Sequence, residues 1–170
     1  YQNATCIPER AFDNNHGGDV VLADLLQLQS IDTYAFHSFK GRVQLTGSFP
    51  ALVEVGNSAF NSASNSASVV ELIDLPLLQS IDNKAFEIFA GRVQLTGSFP
   101  ALITVGAAAF NKHINKDSVV ELIGLPLLQS IGQAAFQFFA GRVQLTGPFP
   151  ALIKIDSAAF FSASNTASEV

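Results

Sequence analysis

Residues 69–118 read VVELIDLPLLQSIDNKAFEIFAGRVQLTGSFPALITVGAAAFNKHINKDS, and this stretch decides the fold. It divides into two halves, 69–91 and 92–118, of 23 and 27 residues. Both reduce to V-x-L, then a proline ahead of a leucine, then Ile or Val, three residues, and Ala-Phe. The unit recurs with a period of fifty: GRVQLTGSFPAL stands at 41–52 and 91–102, and GRVQLTGPFPAL at 141–152. Self-similarity at such a period, halved again within each unit, is the signature of coils of about 25 residues stacked into a solenoid.

The Ala-Phe step sets the phase. Its aromatic recurs at Phe12, Phe36, Phe60, Phe86, Phe110, Phe136 and Phe160, at separations of 24 or 26 residues. A single coil cannot bury its apolar residues alone, so equivalent side chains are expected to stack from coil to coil as a spine. Further phenylalanines, Phe39, Phe89 and Phe139 in one half and Phe49, Phe99 and Phe149 in the other, thicken the same core.

Local signals divide each coil. Val70-Glu71-Leu72 and Val93-Gln94-Leu95 alternate apolar and polar with the period of a half-buried strand. Copies in successive coils should lie side by side in parallel, about 4.8 Å apart. The prolines that follow (Pro50, Pro76, Pro100, Pro126, Pro150) lack an N–H and fit where ladder pairing has ended. Beyond them Asp82 can cap a short helical turn over 83–89, with Gly91 placed to end it, and 107–110 offers the same turn in the other half. These signals predict a right-handed α/β coil, with a sheet on one side and short helical or 3₁₀ turns on the other.

Composition narrows the function. The chain has 170 residues, 48% of them hydrophobic and 14% charged, with a net charge of −5, so it holds ample material for a core. That balance excludes a phosphate-tracking nucleic-acid binder. One cysteine, Cys6, and three histidines supply neither an internal disulfide nor a structural zinc ligand set, and no cofactor motif is present. Residues 122–141 run without a charge for the length of a membrane helix. The equivalent residues 72–91 carry Asp74, Asp82, Lys84 and Glu87, and equivalent positions share one environment, so no membrane span is expected.

The consensus V-x-L-x-x-L-P-x-L-x-x-I-x-x-x-A-F resembles the leucine-rich repeat, and its I-x-x-x-A-F ending is closest to the BspA-like class. The resemblance covers nearly the whole chain, from about Ile7 to Val170. Two departures stand out. BspA-like repeats usually carry a cysteine where this chain has Phe39, Phe89 and Phe139, and the asparagine of the ordinary leucine-rich repeat is missing. The F-P-A-L-x-x-V-G element is also similar to receptor L-domains and fungal cell-wall repeats. The resemblance implies a leucine-rich-repeat solenoid that serves for recognition at a cell surface and binds its ligand on a concave sheet.

With Val and Leu of each strand turned inward, the flanking residues form polar rows on that sheet. Arg42, Gln44 and Thr46 are followed by Val69, Glu71 and Ile73, then by Arg92, Gln94 and Thr96. Val119, Glu121 and Ile123 come next, and then Arg142, Gln144 and Thr146. Two readings compete: a mixed-charge binding face, or diagonal cross-strand pairs that join Arg92 to Glu71 and Glu121. Exposed Ile73 and Ile123 beside the charges favour an interface. Near-identity of the rows between copies suits a repetitive ligand, a self-assembling partner, or no selected ligand at all. The segments after Ala-Phe vary more, as loops that bear little packing tolerate drift; the alternative is that Lys112, His113 and Lys116 form a contact patch at one rim.

Catalysis finds no support. His16, His37 and His113 sit at different phases of the repeat, and no Ser, Cys and His arrangement recurs beside a carboxylate. Glu71 and Glu121, two coils apart, fall near the spacing of an inverting glycosidase pair, but arginines flank them on an open face. The threonines at 46, 96 and 146 make a row too interrupted by isoleucine to match an ice-binding array. Asn3-Ala4-Thr5 is a glycosylation sequon.

Coil limits are expected at 1–18 (partial), 19–41, 42–68, 69–91, 92–118, 119–141 and 142–168, within one domain. The sequence opens at Tyr1 inside a coil and closes at Glu169-Val170 where another strand would start, so it is expected to be an excised part of a longer array. The functional expectation is a non-catalytic recognition or adhesion module of a cell-surface or secreted protein, binding a protein or glycan. Its alternative is a structural spacer or a unit that self-associates end to end.

Overall fold

The computed structural model of the chain describes residues 3–163 and 166–169, the last four as backbone alone. It is a parallel β-solenoid. In chain order the strands are β1 (Cys6–Ile7), β2 (Val20–Ala23), β3 (Ser30–Ile31), β4 (Val43–Thr46), β5 (Glu54–Val55), β6 (Val69–Ile73), β7 (Ser80–Ile81), β8 (Arg92–Thr96), β9 (Thr104–Val105), β10 (Val119–Ile123), β11 (Ser130–Ile131), β12 (Arg142–Thr146), β13 (Lys154–Ile155) and β14 (Thr166–Glu169). The odd-numbered strands, two residues each, stack in one sheet and the longer even-numbered strands in another, each in sequence order. All pairings are parallel.

Between the sheets the chain makes a sharp turn, at a proline in most coils and at Leu26 in the coil 19–41, where Leu28 N–H donates to the Leu25 carbonyl at 3.0 Å. Leu52 N–H donates to the Phe49 carbonyl at 3.0 Å and Leu78 N–H to the Leu75 carbonyl at 3.3 Å. Pro50 and Pro76 thus stand at the second turn position, where their fixed φ is pre-set and no N–H is missed.

The expected helical turns are absent: no residue among those described is helical. Over 82–89 the amides alternate. Ala85, Glu87 and Phe89 donate to the carbonyls three residues back, at 3.1–3.3 Å, while Lys84, Phe86 and Ile88 donate to Ala107, Ala109 and Asn111 of the next coil, at 2.7–2.9 Å. A helix needs every amide to reach four residues back along its own chain. Left-handed residues also recur four apart, Lys84 and Ile88 here (φ 58 and 55) and Ala108 and Lys112 in the next coil (φ 55 and 52). Such residues interrupt a right-handed helix. Residues 107–110 obey the same rule, so the turn expected there is corrected in the same way. Gly91 is no helix terminator: a Cβ on it would lie 2.7 Å from the Ser68 carbonyl oxygen, so glycine is required by close approach of the neighbouring coil.

This overturns the α/β leucine-rich-repeat architecture. A horseshoe curves because helices on one side take up more width per repeat than the strands opposite. Here the turn side is hydrogen-bonded from coil to coil, and its phenylalanines repeat at 4.8–5.2 Å, close to the strand spacing of about 4.8 Å. That mismatch in width, the source of a concave face, does not arise.

The spine itself forms as its spacing predicts. From Phe12 to Phe160 the seven rings stack with interplanar angles of 4–10°. Phe36, Phe60, Phe86, Phe110 and Phe136 are fully buried, as are the alanines before them. The alanine carbonyls accept the phenylalanine amides of the coil before, as from Phe60 to Ala85 at 2.7 Å. Phe39, Phe89, Phe139, Phe49 and Phe99 complete the core. The uncharged segment 122–141 is spent on β10, β11 and this turn stack, and no helix among the described residues is long and apolar enough to cross a membrane. At the far end, β14 (Thr166–Glu169) is built from residues read as loop, while Val170, together with residues 164–165, falls outside the described residues.

Candidate functional site: the outward face of the long sheet

Along the central long strands the residues alternate between core and surface. In β6 and β8, Val70, Leu72, Val93 and Leu95 are buried, while Val69, Glu71, Arg92, Gln94 and Thr96 are half-buried on the other face. Ile73 and Ile123 end their strands 38% and 42% exposed. Gln44 and Gln144 lie half-buried on the same face. The candidate residues therefore share one surface, the outward face of a sheet.

Register decides which of them meet. The pairs β6/β8 and β10/β12 share five rungs, with Arg92 opposite Val69, Glu71 opposite Gln94 and Ile73 opposite Thr96. The junctions β4/β6 and β8/β10 keep two rungs, Gln44 to Val69 and Gln94 to Val119, so the rows slip by two residues at each. Val43 N–H and Val93 N–H there donate to the Oγ atoms of Ser68 and Ser118, at 3.0 and 2.9 Å. A serine side chain thus accepts a bond that ladder carbonyls accept elsewhere.

The slip selects the ion pairs. Arg92 Nη2 lies 3.6 Å from Glu71 Oε1, and Arg142 Nη2 donates to Glu121 Oε1 at 2.8 Å. The expected second partner of Arg92, Glu121, is not paired with it among the described residues. Arg92 precedes the two-rung junction, which places Glu121 several residues along the strand and beyond a diagonal reach. Arg42 instead meets Asp19 at 2.7 Å, a partner the sequence reading missed although Asp19 precedes Val20 as Arg42 precedes Val43. Arg142 also donates to Gln144 Oε1 at 2.9 Å, and Gln144 passes a bond to Thr146 Oγ1 at 3.3 Å. Each arginine is thus neutralised by the coil before it. Pairs as exposed as these stabilise by about 0–1 kcal/mol each.

The rim patch is corrected. Lys112 and Lys116 are exposed, but His113 is fully buried and joins the core. Its ring lies 5.1 Å from Phe139 and 5.9 Å from Phe89, in the column where other coils place Ala63 or Ala163. His113 Nε2 is 2.6 Å from Ser118 Oγ, while Nδ1 has no partner. Burial pushes this imidazole down to about 4. The Ser-His pair is sealed from solvent, with both residues at most 1% exposed. His37 is bound to Asp13 at 2.9 Å and His16 to Lys40 at 2.7 Å, so the three histidines do not converge. Among the described residues no group of three or more His, Cys, Asp or Glu side chains forms a metal-binding set.

On the short sheet Glu54 lies on the rungs between Ser30 and Ser80. Its carboxyl is raised above the ordinary range, first by desolvation, then by the charges of Asp82 and Asp32.

No family model matches this chain, nor does any curated protein or solved structure.

Proposed function

We propose that the chain is a non-catalytic recognition or adhesion module of a secreted or cell-surface repeat protein, meeting a protein or glycan ligand on the outward face of its long sheet. The carrying observation is the exposure of Ile73 and Ile123 in line with the arginine–carboxylate pairs, an apolar and charged face of the kind partners use. Seven strands at about 4.8 Å, each near 16 Å long, make a face of roughly 500 Å². A standard interface takes about 800 Å² per partner, so a single contact would be weak and a repetitive ligand engaged at several copies suits it better. Kinship of the repeat unit with BspA-like proteins, proposed on the I-x-x-x-A-F step, supports the surface location.

A structural spacer or self-associating unit is the second reading, and the mutual neutralisation of Arg42, Arg92 and Arg142 favours it. A screen of proteins and glycans against the wild type and the Arg42→Glu, Arg92→Glu, Arg142→Glu triple variant separates the two. Binding that disappears in the folded variant supports recognition by the sheet. If no partner is found, or if binding ignores the arginines, the sheet-face reading falls.

A further inference from the structure

The turn stack carries a feature that the repeat does not generate. The first left-handed residue of each turn points its side chain from an equivalent place, and in the first five coils these residues are Arg10, Tyr34, Ser58, Lys84 and Ala108. Small Ser58, 3% exposed, stands between Tyr34 and Lys84. A groove of about 520 Å³ lies here, lined among others by Tyr34, His37, Asn57, Asn61, Asn83 and Lys84. That volume lies in the range of small-ligand sites.

Tyr34 is held in place. Asp13 binds His37 Nδ1 through Oδ1 and Arg10 Nη1 through Oδ2, both at 2.9 Å. The His37 ring meets Tyr34 edge-on at 5.3 Å, and the Arg10 guanidinium lies over the phenol ring, 4.8 Å from its centroid. One face of the ring is thus covered from the preceding coil. On the side of the following coil stand Asn57, Ser58 and Asn61, and the Ser58 hydroxyl donates to Asn57 Oδ1 at 2.8 Å. The result is an aromatic ring braced before any ligand arrives, at the lining of the groove.

The polar groups around it are mostly donors. Asn57 Oδ1 accepts from Ser58 and Asn83 Oδ1 from the Ala107 N–H at 2.7 Å, and neither amide nitrogen has a partner among the described residues. Lys84 Nζ has only Glu87, at 3.7 Å. An occupant must offer a flat C–H face to the phenol ring and acceptor oxygens to the amides and the ammonium. A net charge of −5 and the carboxylates of Glu87 and Asp13 beside the groove disfavour a polyanion.

We propose that this groove is a subsite for a neutral hexopyranose residue of a glycan, stacked on Tyr34 and hydrogen-bonded by Asn57, Asn83 and Lys84. It stands apart from the sheet face and does not depend on that surface binding anything.

Saturation-transfer NMR with neutral tetrasaccharides of gluco, manno and galacto configuration tests it on the whole chain. At least one is expected to receive saturation. Tyr34→Ala should weaken it tenfold or more and Lys84→Ala several-fold, with circular dichroism of both variants unchanged. Loss of transfer in Tyr34→Ala, which leaves every residue of the long sheet unchanged, separates this subsite from the sheet. Absence of transfer to all three, or transfer that survives Tyr34→Ala, overturns the proposal.

Discussion

Asp74 Oδ1 accepts the backbone N–H of Ser98 at 2.9 Å, and the chain changes both residues together when it changes either. The same bond joins Asp24 to Ser48 at 3.0 Å one repeat earlier. In the third repeat Gly124 replaces the aspartate, and Pro148, which has no N–H to donate, replaces the serine. The acceptor and the donor are lost as a pair, so neither is left without its partner.

A double-mutant cycle on Asp74→Gly and Ser98→Pro measures that relationship. Asp74 adopts φ 49, so glycine there relieves a left-handed strain while it deletes the acceptor. The two changes should be non-additive, with a coupling of about 1 kcal/mol in urea denaturation. Additivity within about 0.3 kcal/mol would show the bond to be idle.

Phe86 lies in the middle of the spine, 5.0 Å from Phe60 and 5.2 Å from Phe110, and is fully buried. Phe86→Ala leaves a cavity between two rings that cannot close on each other without breaking the coil spacing. A loss of about 3–5 kcal/mol is expected from denaturant midpoints. A loss below about 1 kcal/mol would contradict the stacked spine.

His113 makes stability depend on pH. Its folded value, about 4, lies below the ordinary 6.5, so between those limits the unfolded chain binds a proton that the folded chain refuses. Stability should therefore fall as pH drops from 6.5 toward 4, by up to about 3 kcal/mol from this group. His113→Ala, the residue that Ala63 places at the equivalent position, should flatten that part of the profile. Equal slopes for variant and wild type between pH 4 and 6.5 would count against the buried neutral imidazole.

Ile88 holds φ 55 while 45% exposed, a left-handed conformation that a β-branched side chain adopts only under strain. Asn14, Ser38 and Ser62 stand at the same place in other coils. Ile88→Asn should raise stability by about 1 kcal/mol, as read from thermal or urea midpoints, because asparagine tolerates that region. A destabilised variant would show that the exposed isoleucine contributes packing that outweighs its backbone cost.

Much of the core was legible from Ala-Phe and V-x-L alone. Which side chains turn inward depends on a period of two within the strand and on the coil length between strands, and both are written in the repeat. The arc after Asp82 was not legible. Asp82, Lys84 and Ala85 read as a capped helical turn because local propensity is blind to the carbonyls of Ala107, Ala109 and Asn111, which lie one coil away and take the alternate amides. The ion pairs were half legible. Arg92 with Glu71 followed from diagonal reach, but the two-residue slip that separates Arg92 from Glu121 belongs to the junction between strands. His113 looked like rim because it stands with Lys112 and Lys116 in the variable segment after Ala-Phe, and only the Phe89–Phe139 column shows that it fills a core place.

The sequence by itself determined the coil length, the phenylalanine spine and the inward face of strands such as β6 and β8, because these follow from spacing along one chain. Tertiary structure alone decided that the turns are bonded from coil to coil instead of forming helices, and that the Arg10 guanidinium lies over the Tyr34 ring. Those outcomes depend on hydrogen bonds and contacts between coils about 25 residues apart, and no local window of the sequence contains both partners.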